Sequence, residues 1–291
     1  MSEHLTDYFY ENKILFWNLS EENPSIGGLL TKVTEANMLR KSLANRGYTI
    51  PIVSSASNLQ NVVKLAKSFE NAFTNLKLVV LEDSQLSNKI DTFGFLPQMV
   101  KHGAESYSTL TVQELWKRGY GQPTIPWNAQ IKDKVLRSFK NVISVHLRQV
   151  SGGDQTKSDA NFEVWRGALS RISKNLKLDI LLIGDDWRPQ KFVSMHGFQD
   201  STKLGLSLVQ QLVLTGESRC FVGMASGLAA AAIFSDNPYL IFKHPMHHKN
   251  AMDLEIGNKS QFIFASQNQY FVRAEPSSDL IYEYMGRIIQ N

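Results

Sequence analysis

At 291 residues, with 43% apolar and 20% charged side chains, the chain has the composition of a soluble globular protein of about two domains. Its net charge of +4 comes from scattered lysines and arginines, so nucleic acid is not indicated, while a phosphate-bearing small ligand fits. The single cysteine, Cys220, excludes internal disulfides, and no run approaches the roughly 18 apolar residues of a membrane span.

The opening residues, MSEHLTDYFYENK, lack the basic-then-apolar layout of a secretory signal. A cytoplasmic location is expected, with a peripheral position on the inner face of a membrane left open. Lys13 to Leu19 reads as a first buried strand, followed by a polar loop from Ser20 to Gly28. Leu29 to Asn45 has helical periodicity, with Leu29, Leu30, Val33, Ala36, Leu39 and Leu43 on one side. Gly47 stops it. A strand over Tyr48 to Val53, an amphipathic helix over Ser57 to Phe73 and a strand over Lys77 to Leu81 follow, the last ending at Glu82-Asp83. This alternation predicts a parallel sheet with right-handed crossovers.

Gly27-Gly28, between a strand and a helix, matches half of a dinucleotide fingerprint. The full G-x-G-x-x-G is absent, and no acidic residue clearly ends the second strand, which argues against a nicotinamide cofactor. The glycines either let a ligand approach the backbone closely or form a flexible turn. Ser84 to Asn128 holds seven glycines and prolines and one predicted helix, around Thr111 to Lys117; it is read as the end of a first domain, residues 1–128.

A second α/β series fills residues 129–291. It predicts helices over Ala129 to Phe139, Ala160 to Lys174, Leu204 to Leu214, Leu228 to Phe234 and Ser278 to Ile289. Strands are expected over Val142 to Leu147, Leu178 to Ile183, Cys220 to Val222, Tyr239 to Phe242 and Gln261 to Phe264. The fold class is therefore α/β, with two facing Rossmann-like domains whose ligands lie at the carboxyl ends of the strands.

Two stretches carry the chemistry. In Val142 to Arg148, alternation puts Ser144, His146 and Arg148 on one face, and Arg148 emerges at the carboxyl end, where a guanidinium can grip a diphosphate bidentately. The alternative is a surface arginine and a core histidine. In Arg219 to His244, a strand meets the bend Met224-Ala225-Ser226-Gly227 and then a helix. Gly223, Ser226, Gly227 and the helix N-terminus suit a phosphate, or else form an ordinary strand-to-helix turn. Lys243, His244, His247, His248 and Lys249 form a basic cluster; His247-His248 lacks a third ligand at metal-site spacing. Asp185-Asp186 also lacks metal-binding partners, and Asp185 is read as a ligand-facing or loop-capping group, so no metal site is assigned. Trp17, Trp127, Trp165 and Trp187 are read as core or rim aromatics rather than sugar platforms.

His146-Leu147-Arg148 at the end of its strand resembles the H-x-R-x-x-D motif of the fucosyltransferase superfamily, with Gln149 next and the acidic position displaced to Asp154 or Asp159. The stretch from Phe221 to the alanines after Gly227 is similar to the F-x-G-x-D-S-G-x-x-H-x-A-A segment of heptosyltransferase-type enzymes, with Ala225 and Ala230 at the Asp and His positions. Both families have the GT-B fold. The resemblance implies a nucleotide-diphosphate sugar as donor, GDP-linked in the fucosyltransferase case, with Arg148 on the diphosphate and Ser226 capping the β-phosphate. It implies a glycosyltransferase, metal-independent and inverting, needing no cofactor besides its donor and acting on a glycan or lipid-linked acceptor. The first domain then holds the acceptor near Gly27 and Gly28, and Glu21, Glu22, Glu82 and Asp83 are positional candidates for the base. A nucleotide-sugar epimerase or hydrolase, and a non-catalytic nucleotide- or glycan-binding protein, are the competing readings.

Overall fold

The computed structural model describes residues 17–18, 24–42, 48–82, 109–139, 141–148, 159–184 and 197–290. They fall into two compact units, divided between Ala129 and Gln130. In the first, β1 (Trp17–Asn18), β2 (Tyr48–Ser54) and β3 (Leu76–Glu82) form a parallel sheet in the order β1-β2-β3, with Tyr48 opposite Leu76 and Ser54 opposite Glu82. α1 (Ile26–Ser42) and α2 (Leu59–Ser68) are the crossovers.

α1 departs from expectation at its start and in its surroundings. The polar loop stops at Ser25, whose Oγ accepts the Gly28 N–H at 3.0 Å. Gly27 and Gly28 therefore lie in the first helical turn, buried, rather than in a loop. Nor does the helix bury a single side: every residue from Gly27 to Leu39 is buried. Its polar groups are satisfied locally. Thr31 and Thr34 donate to the carbonyls of Gly27 and Leu30, and Lys32 Nζ lies 2.9 Å from Glu35 Oε2. Asn37 Nδ2 donates to Thr124 O at 2.7 Å, tying the helix to the extended stretch after α3 (Leu110–Lys117). Farther on, Trp127 stacks on Phe73, which stacks on Phe69, so Trp127 is a core aromatic.

The second unit begins with α4 (Ala129–Phe139), whose N-terminal residue spans the division. Its sheet contains β4 (Ile143–His146), β5 (Ile180–Leu182), β6 (Phe198–Asp200), β7 (Cys220–Met224), β8 (Tyr239–Phe242) and β9 (Gln269–Val272). All neighbours are parallel and the spatial order is β6-β5-β4-β7-β8-β9, which is the 3-2-1-4-5-6 order of a Rossmann sheet. Ile143 and Val145 face the core under α5 (Phe162–Leu176) and α9 (Ser278–Gln290), where Trp165, Leu169, Ile281 and Met285 are fully buried. The opposite face meets α6 (Leu208–Glu217): Ser144 Oγ bonds Leu214 O at 3.2 Å.

Helix limits follow local chemistry. Asn161 caps α5 by accepting the Val164 N–H, and Ser207 with Gln210 makes a capping box at the start of α6. Asp200 Oδ1 accepts from the N–H and hydroxyl of Thr202, forming a turn that delays α6 from the expected Leu204 to Leu208. The helix expected over Leu228 to Phe234 is a single turn, α7 (Ala230–Ile233). Gln261 to Phe264 is not a strand. Phe262 and Phe264 instead stack on each other and pack against Phe271 and Phe234, while Gln269 leads the real last strand by donating to Ser235 O and Asn237 O.

The Lys32–Glu35 pair is nearly water-free, with Glu35 at 1% side-chain exposure. Breaking a buried pair strands the remaining charge at a cost of about 3–5 kcal/mol, whereas an apolar replacement of both can be neutral. Glu35→Ala is expected to lower unfolding free energy by about that amount, and Lys32→Met with Glu35→Leu to restore most of it. Urea unfolding of the two variants measures both.

Candidate functional site

β4 and β7 are the neighbours at which strand order reverses, and in such sheets ligands enter the crevice beyond the carboxyl ends of that pair. His146 and Gly223 stand opposite each other there. A Cβ on Gly223 would lie 2.3 Å from the His146 carbonyl oxygen, so a side chain would force the strands apart.

The His146 ring is 1% exposed and held on both edges. Its Nδ1 lies 3.0 Å from Ser226 Oγ in the turn after β7, and that hydroxyl accepts the Ala229 N–H at 3.3 Å. Its other edge lies against Gly184, where an added Cβ would sit 2.6 Å from Cδ2 and 2.8 Å from Nε2; Gly184 also has a φ of +88°. The Gly184 N–H donates to Gln211 Oε1 at 2.8 Å, Ser201 Oγ donates to the same oxygen at 3.0 Å, and Gln211 Nε2 bonds Leu206 O. Gln211 thus joins the ends of β5 and β6 behind the histidine. His146 is a core group that orients the Ser226 hydroxyl.

Arg148 follows the end of β4, half-buried, and its carbonyl accepts the Ala160 N–H at 2.8 Å. The loop after β8 runs beside it. His244 Nδ1 accepts the Met246 N–H at 3.1 Å, which leaves the ring proton on Nε2, aimed at Glu275 Oε1 3.0 Å away. The His247 and His248 rings meet edge to face at 4.2 Å. Burial, then the positive fields of Lys243, His248, Arg148 and His244, push the His247 pKa down to about 4. His247 is therefore a neutral imidazole at pH 7 that feels the cationic side chains of Lys243 and Arg148.

Seven of the candidate residues accordingly lie at the carboxyl ends of β4, β7 and β8: His146, Arg148, Gly223, Ser226, Gly227, Lys243 and His244. Gly27 and Gly28 belong to α1 of the other unit. Glu21, Glu22, Asp83, Asp154, Asp185 and Asp186 lie outside the described residues, whereas Glu82 ends β3. The expected helical cradle is weaker than foreseen: α7 is one turn, and Ser226 already occupies the Ala229 N–H. Positive character at this end of the sheet consequently comes from side-chain cations more than from a helix dipole. Sequence reasoning missed Gln211 and Gly184, each of which acts through a partner far away in the chain. Cys220 is buried, with its thiol pushed up to about 12 by burial despite the nearby Arg219, and is chemically inert. Among the described residues no group of three or more His, Cys, Asp or Glu side chains could hold a metal ion, and no helix is long and apolar enough to cross a membrane.

No family model matches the sequence, and no curated protein sequence matches it either. Solved structures do. Escherichia coli ADP-heptose lps heptosyltransferase II superposes with a TM-score of 0.56 at 9% identity, over 95% of this chain and 98% of that one. E. coli heptosyltransferase WaaC, with ADP-2-deoxy-2-fluoro heptose, gives 0.53 at 10% identity over 94% and 99%. A glycosyl transferase family 9 protein from Veillonella parvula gives 0.51 at 10% identity over 96% and 89%. The likeness shows a shared fold: the chain has the Rossmann-like α/β architecture of GT-B glycosyltransferases.

The depressed His247 pKa has a definite sign. Between pH 6.5 and about 4 the unfolded chain binds a proton at this position that the folded chain does not, so stability rises with pH across that window and is lost as pH falls. Histidine ring NMR is expected to show a midpoint near 4 for His247, and His247→Asn to flatten the decline of Tm between pH 6.5 and 4. A midpoint near 6.5 contradicts the packing described.

Proposed function

We propose that the chain is a glycosyltransferase that takes its sugar from a nucleotide-diphosphate donor, bound at the carboxyl ends of β4, β7 and β8. The observation that carries the reading is the convergence, at the switch point of a 3-2-1-4-5-6 sheet, of Arg148, Lys243 and a Ser226 hydroxyl braced by His146. Cleavage of the sugar–phosphate bond places negative charge on the leaving diphosphate. Fixed cations and a preset hydroxyl stabilise that charge more than they stabilise the intact donor, which is the condition for acceleration. Arg148 grips the diphosphate, Lys243 and His244 flank it, and neutral His247 contributes hydrogen bonding without adding charge. His146 works through Ser226. Gly227, exposed in the turn, gives the donor close access to the backbone, while Gly223 lets β7 lie against the His146 carbonyl and so sets where the turn begins.

In this reading the cationic groups take the place of a divalent ion, so transfer is metal-independent, and no cofactor is required besides the donor. Inversion needs a base from the acceptor side, for which Glu21 and Asp83 are the candidates, with a glycan or lipid-linked acceptor near Pro24 to Gly28, where the half-buried Pro24 and Ser25 precede the buried Gly27 and Gly28. Asp154, between β4 and α5 in the sequence, and Asp185, which follows Gly184, are read as donor-binding groups. The H-x-R resemblance favours a GDP-sugar. ADP-sugars enter the same panel because the structures of like fold include an ADP-heptose enzyme.

The test is thermal-shift and calorimetric screening against GDP, ADP, UDP and their sugar conjugates, followed by product analysis with acceptors. A ligand at about 100 Kd contributes roughly 2.7 kcal/mol to stability. Arg148→Ala is expected to lower the transfer rate by about 10²–10³-fold, the usual effect of removing one charge-stabilising donor. Failure of every nucleotide to bind contradicts the donor site. Donor turnover without any acceptor identifies a hydrolase or epimerase instead, and binding without sugar release identifies a binding protein.

A further inference from the structure

The loop that brings Lys243, His244 and His247 to Arg148 has little apolar anchorage of its own. None of residues 243–250 is buried, and Met246 is 58% exposed. The apolar contacts of α8 (Lys249–Glu255) come from Met252 and, just beyond it, Ile256, at the far end of the segment, while Leu254 is 74% exposed. The near end must be held by polar ties, and two residues of the β9–α9 connection supply them. Arg273, immediately after β9, donates through Nη1 to Asp253 Oδ1 and to Gly257 O, each at 2.7 Å, and through Nη2 to Pro245 O at 3.5 Å. Pro245 precedes α8, Asp253 lies in it and Gly257 follows it, so one guanidinium clasps the segment on both sides. Two residues on, Glu275 takes His244 Nε2.

The two ties are unequal. Glu275 is 78% exposed, where an ion pair is screened, whereas the Arg273 side chain is 13% exposed, beneath a partner carboxylate that also binds Lys249 at 2.7 Å. The Asp253 carboxylate is held below its usual range, first by its hydrogen bond from Lys249 and then by that from Arg273, so the tie stays ionic through neutral and mildly acid pH.

We propose that Arg273, outside the ligand crevice, is the positioning residue that sets the cationic loop 243–248 against Arg148 and thereby the affinity for the diphosphate. The inference rests on the donor-site reading above. A fixed guanidinium removes the freedom that an unanchored loop would otherwise lose on binding, so its effect appears in ligand affinity as well as in stability.

The probes are inorganic pyrophosphate, ADP and GDP, titrated calorimetrically into the full chain and into Arg273→Gln, Arg273→Lys and Asp253→Asn, with His247 followed by NMR. Arg273→Gln is expected to weaken binding of whichever probes the wild type binds by at least about tenfold. It is also expected to move the His247 midpoint upward from about 4, because the imidazole loses its burial and then the fields of Lys243 and Arg148. Asp253→Asn, which keeps a hydrogen-bond acceptor, moves both readouts the same way by less and serves if Arg273→Gln fails to fold. A purely structural arginine lowers Tm while leaving Kd and the His247 midpoint unchanged, and that result overturns the proposal. If the wild type binds none of the probes, the donor-site reading fails, and the His247 midpoint alone still decides whether Arg273 positions the loop.

Discussion

Two strands meet at this site with no side chain between them. Gly223 pairs with His146 so closely that a methyl group would lie 2.3 Å from the His146 carbonyl, and this contact is what lets β4 and β7 end side by side. The consequences run outward from it. The turn after β7 begins within reach of the His146 ring, Ser226 meets Nδ1, and the ring's far edge closes on Gly184 at the end of β5. Three adjacent strands of the sheet are thereby locked at their carboxyl ends around one imidazole. Ser226 Oγ is thereby held by two partners, His146 Nδ1 and the Ala229 N–H, which suits a surface that must present a fixed hydroxyl.

The electrostatics of the crevice are built mainly from side chains. α7 is too short to gather a strong macrodipole, and its first available amide is occupied by Ser226. Positive potential comes instead from Arg148 after β4 and Lys243 after β8, with His247 forced to stay neutral between them. Arg273 and Glu275 tie down the segment that carries Lys243 and His244.

Much of the second unit was legible in the chain. Short apolar runs such as Val142 to Leu147 and Tyr239 to Phe242 became buried parallel strands because both faces of that sheet are covered. The H-x-R stretch and the turn at Ser226 were readable as a pair because both end strands of one sheet. What stayed hidden depended on distant partners. β6 has only three residues and no run to announce it. The aromatic alternation at Phe262 and Phe264 imitates a strand but serves a ring cluster. α1 carries threonines, a lysine and a glutamate on faces that periodicity assigns to water; it buries them because they bond to their own helix. Gln211 and Arg273 look like ordinary polar residues until folding brings them to Gly184 and Asp253.

The proposed anion site spans the carboxyl ends of β4, β7 and β8. Amide and side-chain NMR shifts on titration with pyrophosphate and a nucleoside diphosphate test it most directly. Perturbations are expected to concentrate on the Arg148 guanidinium, the amides of Ser226 to Ala229, and Lys243 to His248, with the His247 midpoint moving upward from about 4 as the anion offsets its cationic neighbours while the ring stays neutral at pH 7. Shifts gathered elsewhere in the chain, or a His247 signal indifferent to saturating anion, would contradict it.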